Sequence, residues 1–249
     1  MLYFLRKDVD VMMVTVIGRG HSGTRAVSNT LAESGFFMGE PLNGSWDLVP
    51  PEKMYQACAV FGDYVTYEGD LKWDFSKVLS MEPTAEFRIL IEEYLHSVLK
   101  SDAPDKGWKI PETTLCYPWI VKMFPEIHYI HWVRDPRDCI LGGHVTDDMA
   151  RFHIEMPETD DVREQRALSW KYQRELMNAT PDPKHIIRLR FEDMVFNQDE
   201  TLEKLGAFLD RKMAKIPMRP DSVGRYKTAE GKVMYDFFLE DLKECGYEI

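Results

Sequence analysis

The chain has 249 residues, 44% of them apolar and 29% charged, with a formal net charge of -11 at neutral pH. That length supports one sizeable α/β core and no second large domain, so residues 1–249 read as a single domain. The acidic balance argues against a nucleic-acid or anionic-membrane surface, no run reaches the roughly 18 apolar residues of a membrane span, and residues 1–5 are too short for a signal-peptide core, so a cytoplasmic protein is expected.

In chain order, strands are expected at 12–17, 108–110, 129–133 and 186–189, and helical patterns at 86–99, 116–123, 136–149, 162–177 and 201–209. Strands alternating with helices imply an α/β fold with a central parallel sheet flanked by helices on both faces, whose ligands bind at the carboxyl ends of the strands. Two segments interrupt the pattern. Residues 39–83 mix prolines, glycines and aromatics (Trp46, Tyr55, Phe61, Tyr64, Tyr67, Trp73) without a clear period, and residues 147–161 are acidic and irregular. Loops on a rigid scaffold carry specificity, so both are candidate acceptor-site insertions, although the aromatics can equally pack a small satellite core. Cys58, Cys116, Cys139 and Cys245 lack C-x-x-C spacing and read as buried thiols, with no metal site expected.

The first strand runs into Gly18-Arg19-Gly20-His21-Ser22-Gly23-Thr24-Arg25, where a helical pattern begins at once. Glycines permit a tight turn and close backbone approach, and a helix start offers unpaired N–H groups and a positive dipole end to an anion. A nucleotide-kinase loop of the G-x-x-x-x-G-K-[ST] type would place lysine after Gly23; here Thr24 stands there, which weighs against a kinase. Arg19, Arg25, Arg134, Arg225 and Lys227 are the cations available to hold an anionic ligand in an acidic chain.

His21-Ser22-Gly23-Thr24-Arg25 resembles the phosphosulfate loop of the P-loop-like sulfotransferases, which reads roughly [KR]-S-G-[TS]-[TS]. Three further segments resemble that family in the same order. Arg134-Asp135-Pro136-Arg137-Asp138 ends a strand as the R-[DN]-P-[KR]-D corner does, residues 185–195 match its third strand and acidic helix start, and Ser222-Val223-Gly224-Arg225-Tyr226-Lys227 is similar to the S-x-G-R-[WY]-[KR] loop of bacterial members. The matches span residues 14–227.

The resemblance implies a sulfuryl transfer from 3′-phosphoadenosine-5′-phosphosulfate (PAPS) to a hydroxyl or amine of a small-molecule, glycan or peptide acceptor, with no metal. It further implies that residues 19–25 hold the phosphosulfate, that Arg134 grips the 3′-phosphate, and that Arg225, Tyr226 and Lys227 close over the adenosine end. Position 142, where many relatives place a phosphate-binding serine, is glycine here. His21 replaces the family's basic residue and is expected to stabilise the leaving phosphate, or merely to shape the turn. Lys109 is a candidate contact to the sulfuryl oxygens, or an ordinary strand-end lysine. Glu40 is the candidate base, with Asp147, Asp148 and His153 as alternatives. His21 and Gly142 also fit a degenerate member that binds nucleotide without turnover.

Overall fold

The computed structural model describes residues 11–228 and 231–249; the segment 1–5 lies outside them. Four parallel strands form the central sheet: β1 (Met12–Ile17), β4 (Asp105–Lys109), β5 (His128–Val133) and β6 (His185–Arg190), in the order β4-β1-β5-β6. The first sits centrally because its sequence MMVTVI is apolar and β-branched on both faces, as a strand covered on both sides requires. Val14 and Val16 point into one layer with Ile130 and Trp132, while Ile17 enters the other with Tyr129. This alternation is the two-residue period of a strand read by two separate helical layers.

One layer is built from α1 (Thr24–Glu33), α9 (Phe191–Phe196) and α10 (Gln198–Leu209), through Val27, Leu31, Met194, Leu202 and Leu205. The opposite layer is larger and holds α2 (Glu52–Gly62), α4 (Ala85–Tyr94), α6 (Tyr117–Met123) and α8 (Val162–Ala179). At its centre the fully buried Trp119 meets Phe61, Tyr64 and Phe87 at ring separations of 5.1, 5.4 and 4.9 Å, and its indole N–H donates to the Val78 carbonyl. A third cluster joins α7 (Pro136–Cys139), α8 and α11 (Leu239–Glu244) through Cys139, Ala167, Trp170 and Leu242. Among the described residues no helix is long and apolar enough to cross a membrane.

Three expectations change. The helix expected over 136–149 stops at Cys139 and gives way to Gly142-Gly143, an extended His144 and two 3-10 turns, Val145–Asp147 and Met149–Phe152. Consecutive glycines weaken helix propagation, and the Asp147 carboxylate caps the His144 N–H at 2.8 Å, fixing the new turn. The pattern 86–99 divides at Leu95 into α4 and a short α5 (His96–Lys100). Residues 39–83 fold into α2, a hairpin of β2 (Thr66–Gly69) and β3 (Lys72–Asp74), and α3 (Ser76–Ser80); Phe61 and Trp73 belong to the main core, not to a satellite one. The segment 147–161 packs on this addition: Phe152 meets Tyr55 at 5.9 Å and the Glu155 carbonyl accepts the Trp73 indole N–H at 3.0 Å.

Candidate functional site

The glycine loop leaves the carboxyl end of β1 and turns into α1. Gly23, at φ 87°, forms the helix N-cap without any side-chain cap; the Ala26 N–H turns back to the Gly23 carbonyl at 2.9 Å, which leaves those of Thr24 and Arg25 at the helix start for a ligand. A side chain at Gly23 would strike the Phe191 ring, and one at Gly20 would overlap the His144 ring at 2.1 Å. Ser22 is buried, and its hydroxyl donates to the Arg19 carbonyl at 2.6 Å, so it closes the turn from within. Thr24 is also buried, whereas Arg25 is exposed. The loop is therefore a backbone cradle with an arginine at its rim.

His21 sits at the crest with φ 63°, and its Nε2 meets the Gly143 carbonyl at 2.6 Å. A carbonyl only accepts, so Nε2 carries the hydrogen and a neutral ring has its lone pair on Nδ1. The residue is exposed, but its ring lies edge-on to His144 at 6.2 Å. Desolvation on that side, aided by the Arg19 and Arg134 charges, lowers its pKa against the opposing effects of the Gly143 hydrogen bond and Asp147.

Arg134, delivered by the end of β5, clasps two loops together. Its guanidinium donates to the His21 carbonyl at 3.0 Å and to the Ser222 carbonyl at 2.5 Å, and stands 4.5 Å over the Phe191 ring. Asp138, four residues on, accepts the Gly224 and Tyr226 N–H groups at 2.7 and 2.9 Å. The basic corner thereby carries the segment 222–227 beside the glycine loop. There Arg225 and Lys227 are exposed, and Tyr226 stacks 4.0 Å from the Arg137 guanidinium. Arg137 itself is held by Asp135 through two bonds, at 2.9 and 2.6 Å, and so acts as scaffold.

Several candidates from the sequence are placed differently. Arg19 is buried in an ion pair with Asp147 at 2.5 Å and donates to the Gly20 and Cys139 carbonyls, so it is a strut beneath the loop and not a contact at its surface. Lys109 is buried at the end of β4, where Asp47 and the Ser45 carbonyl take its ammonium group, which holds the 45–47 turn against the sheet. Glu40 lies past the outer edge of β4, its N–H on Ser97 Oγ at 3.1 Å, in a groove of about 750 Å³ shared with Phe37, Pro41, His96 and Lys100. No loop residue lines that groove, so the base expected there has no geometric link to the cradle. Of the alternatives, Asp147 is paired with Arg19, Asp148 with Arg151 at 3.4 Å, and His153 with Asp63 at 2.8 Å.

The structure adds residues that the sequence did not single out. His144 packs over Gly20, its Nδ1 accepting the Thr146 N–H at 3.3 Å and lying 3.9 Å from Glu112 Oε1; burial lowers its pKa to about 4. Glu112, just past β4, is itself buried, which pushes its carboxyl up to about 7. His144 was hidden by the helix expected over 136–149. Glu112 follows Lys109 and Pro111 without any motif. Among the described residues, no group of three or more His, Cys, Asp or Glu side chains is arranged to hold a metal ion.

A sulfotransferase family model matches residues 14–215, which takes in the glycine loop, the Arg134 corner and the third strand. The chain belongs to the sulfotransferase family. In fold it is similar to a sulfotransferase from Alicyclobacillus acidocaldarius, with a TM-score of 0.51 and 12% identity over 95% of this chain and 96% of that one. It also matches the sulfotransferase domain of the curacin biosynthetic pathway (TM-score 0.46, 13% identity, 86% of this chain and 77% of that one). No curated protein matches it in sequence.

Proposed function

We propose that this chain transfers a sulfuryl group from PAPS to a hydroxyl or amine acceptor. The observation that carries the reading is the Arg134 clasp, which brings two anion-accepting segments side by side. One is the uncapped start of α1 with Gly20, Gly23, His21 and Arg25; the other is Arg225-Tyr226-Lys227, held by Asp138. A ligand with a phosphate-like group at each end fits two such segments better than one phosphorylated at a single end does. The donor set suits it as well, since backbone N–H groups, guanidinium and ammonium bind phosphate and sulfate oxygens.

In this reading the α1 start and the loop amides hold the phosphosulfate. Arg225 and Lys227 hold the 3′-phosphate, Tyr226 borders the base, and Arg134 aligns the two segments through their backbones. Gly142 contributes by admitting the His21 ring. His21 and Arg25 supply charge where it develops on the leaving phosphate, the region in which fixed donors lower the barrier. The segments 39–83 and 147–161, which meet at Tyr55 and Phe152, form the acceptor side. The acceptor's proton passes to a base on that side.

Incubation with PAPS and a panel of alcohols, phenols, sugars and amines, with 3′-phosphoadenosine 5′-phosphate measured chromatographically, tests the activity. Acceptor-dependent release of the bisphosphate supports it. Binding of the bisphosphate with no transfer to any acceptor favours a non-catalytic member, and turnover of magnesium ATP would replace the reading with a kinase.

A further inference from the structure

Building on the reading of the loop as the donor's cradle, we infer that the phosphosulfate nucleotide, and equally its bisphosphate product, binds with uptake of one proton by His21. The tautomer is the first argument. Because Nε2–H is committed to the Gly143 carbonyl, a neutral His21 presents only a lone pair at Nδ1, which repels an anionic oxygen. An N–H at Nδ1 exists only in the imidazolium.

The ring is also held in place. His144 meets it edge-on, and the bare Gly142 leaves its Nδ1 edge uncovered, where a Cβ would stand 2.5 Å away. Turning the ring to offer Nε2 would break the bond to Gly143.

The third argument is the charge around it. From the loop comes Arg19, from the β5 corner Arg134, and from the 143–147 segment His144 and Asp147, whose carboxylate is already paired with Arg19. Burial is the largest effect lowering the pKa of the ring, with Arg19 and Arg134 adding to it and the Gly143 bond and Asp147 opposing it, so the free protein favours the neutral ring. An arriving anion reverses that balance and raises the bound-state pKa above the free one. Proton uptake is complete between the two values and absent below the lower, so affinity falls as pH rises through the window. Lys109 and Arg19 are tied to Asp47 and Asp147, so His21 becomes, on binding, a charge that a lysine would carry permanently.

Calorimetric titration with 3′-phosphoadenosine 5′-phosphate near pH ~7.5, in HEPES and in Tris, counts protons from the difference in buffer ionisation heat. The wild type is expected to take up about one proton more than His21→Lys or His21→Asn, asparagine being tolerant of positive φ. Its Kd should also rise about tenfold more per pH unit than theirs; ionisation of the ligand's own phosphates is common to all three proteins. Independently of any variant, the His21 Cε1–H resonance of the wild type should move to its imidazolium position on saturation. Equal proton uptake in all three proteins, or an unmoved resonance, overturns the inference while leaving the cradle intact. Failure of the folded wild type to bind the bisphosphate overturns the cradle itself.

Discussion

The ring of His21 occupies the space that a side chain at position 142 would need: a Cβ there would stand 2.5 Å from Nδ1 and 2.6 Å from Cε1. The two positions are therefore one arrangement, in which the imidazole on the loop is accommodated by the absence of a side chain on the facing segment. Gly142→Ser should displace the ring from Gly143 and weaken bisphosphate binding about tenfold, with a stability loss of roughly 1–3 kcal/mol from overpacking. Adding His21→Gly should recover most of the stability. Denaturant unfolding of the single and double variants measures this, and additive losses would contradict the coupling.

Arg134→Ala removes the donors that join His21 to Ser222. Amide exchange across residues 222–228 should accelerate, and bisphosphate affinity should fall at least about tenfold, the order expected from charged hydrogen bonds. Unchanged exchange in that segment would show that Asp138 alone holds it.

Lys109→Met leaves Asp47 without its cation, and the variant should be less stable by roughly 3 kcal/mol. Asp47→Asn in the same chain should restore a large part of that loss. Thermal unfolding distinguishes this from a directly catalytic lysine, whose removal would lower turnover and leave stability untouched.

The buried acid just past β4 makes stability depend on pH. Burial raises the Glu112 carboxyl to about 7 from an ordinary value of 4.5. Between those values the folded protein keeps a proton that the unfolded chain has released, so this group's contribution to stability declines as pH rises and levels off above the folded pKa. Glu112→Gln removes that decline. Its stability relative to the wild type should increase from about pH 5 to 8 by up to roughly 3 kcal/mol. A pH-independent difference between the two would place the carboxylate in a better-solvated environment.

The scaffold was legible where side-chain pattern alone decides it. The apolar run 12–17, the β5 strand and its Arg134 corner, and the glycine turn each follow from local composition, and α/β alternation arranges them into a parallel sheet. What the sequence leaves open depends on contacts between distant segments. Nothing local says that Arg19 meets Asp147 or that Lys109 meets Asp47, pairs that occupy two of the expected anion contacts. The acidity of Glu40 is local in the same sense, while its position beside Ser97 is set by how 36–48 wraps the sheet edge. The aromatics of 39–83 looked irregular because α2 and the β2–β3 hairpin bury them against a core made by other segments.

The central claim, a site that grips a doubly phosphorylated adenosine through the loop and the clasped segment, is tested most directly by calorimetric titration with 3′-phosphoadenosine 5′-phosphate and with ATP, each with and without magnesium. The account predicts bisphosphate binding that needs no metal and weakens in Arg134→Ala; ATP bound in preference and only with magnesium would contradict it.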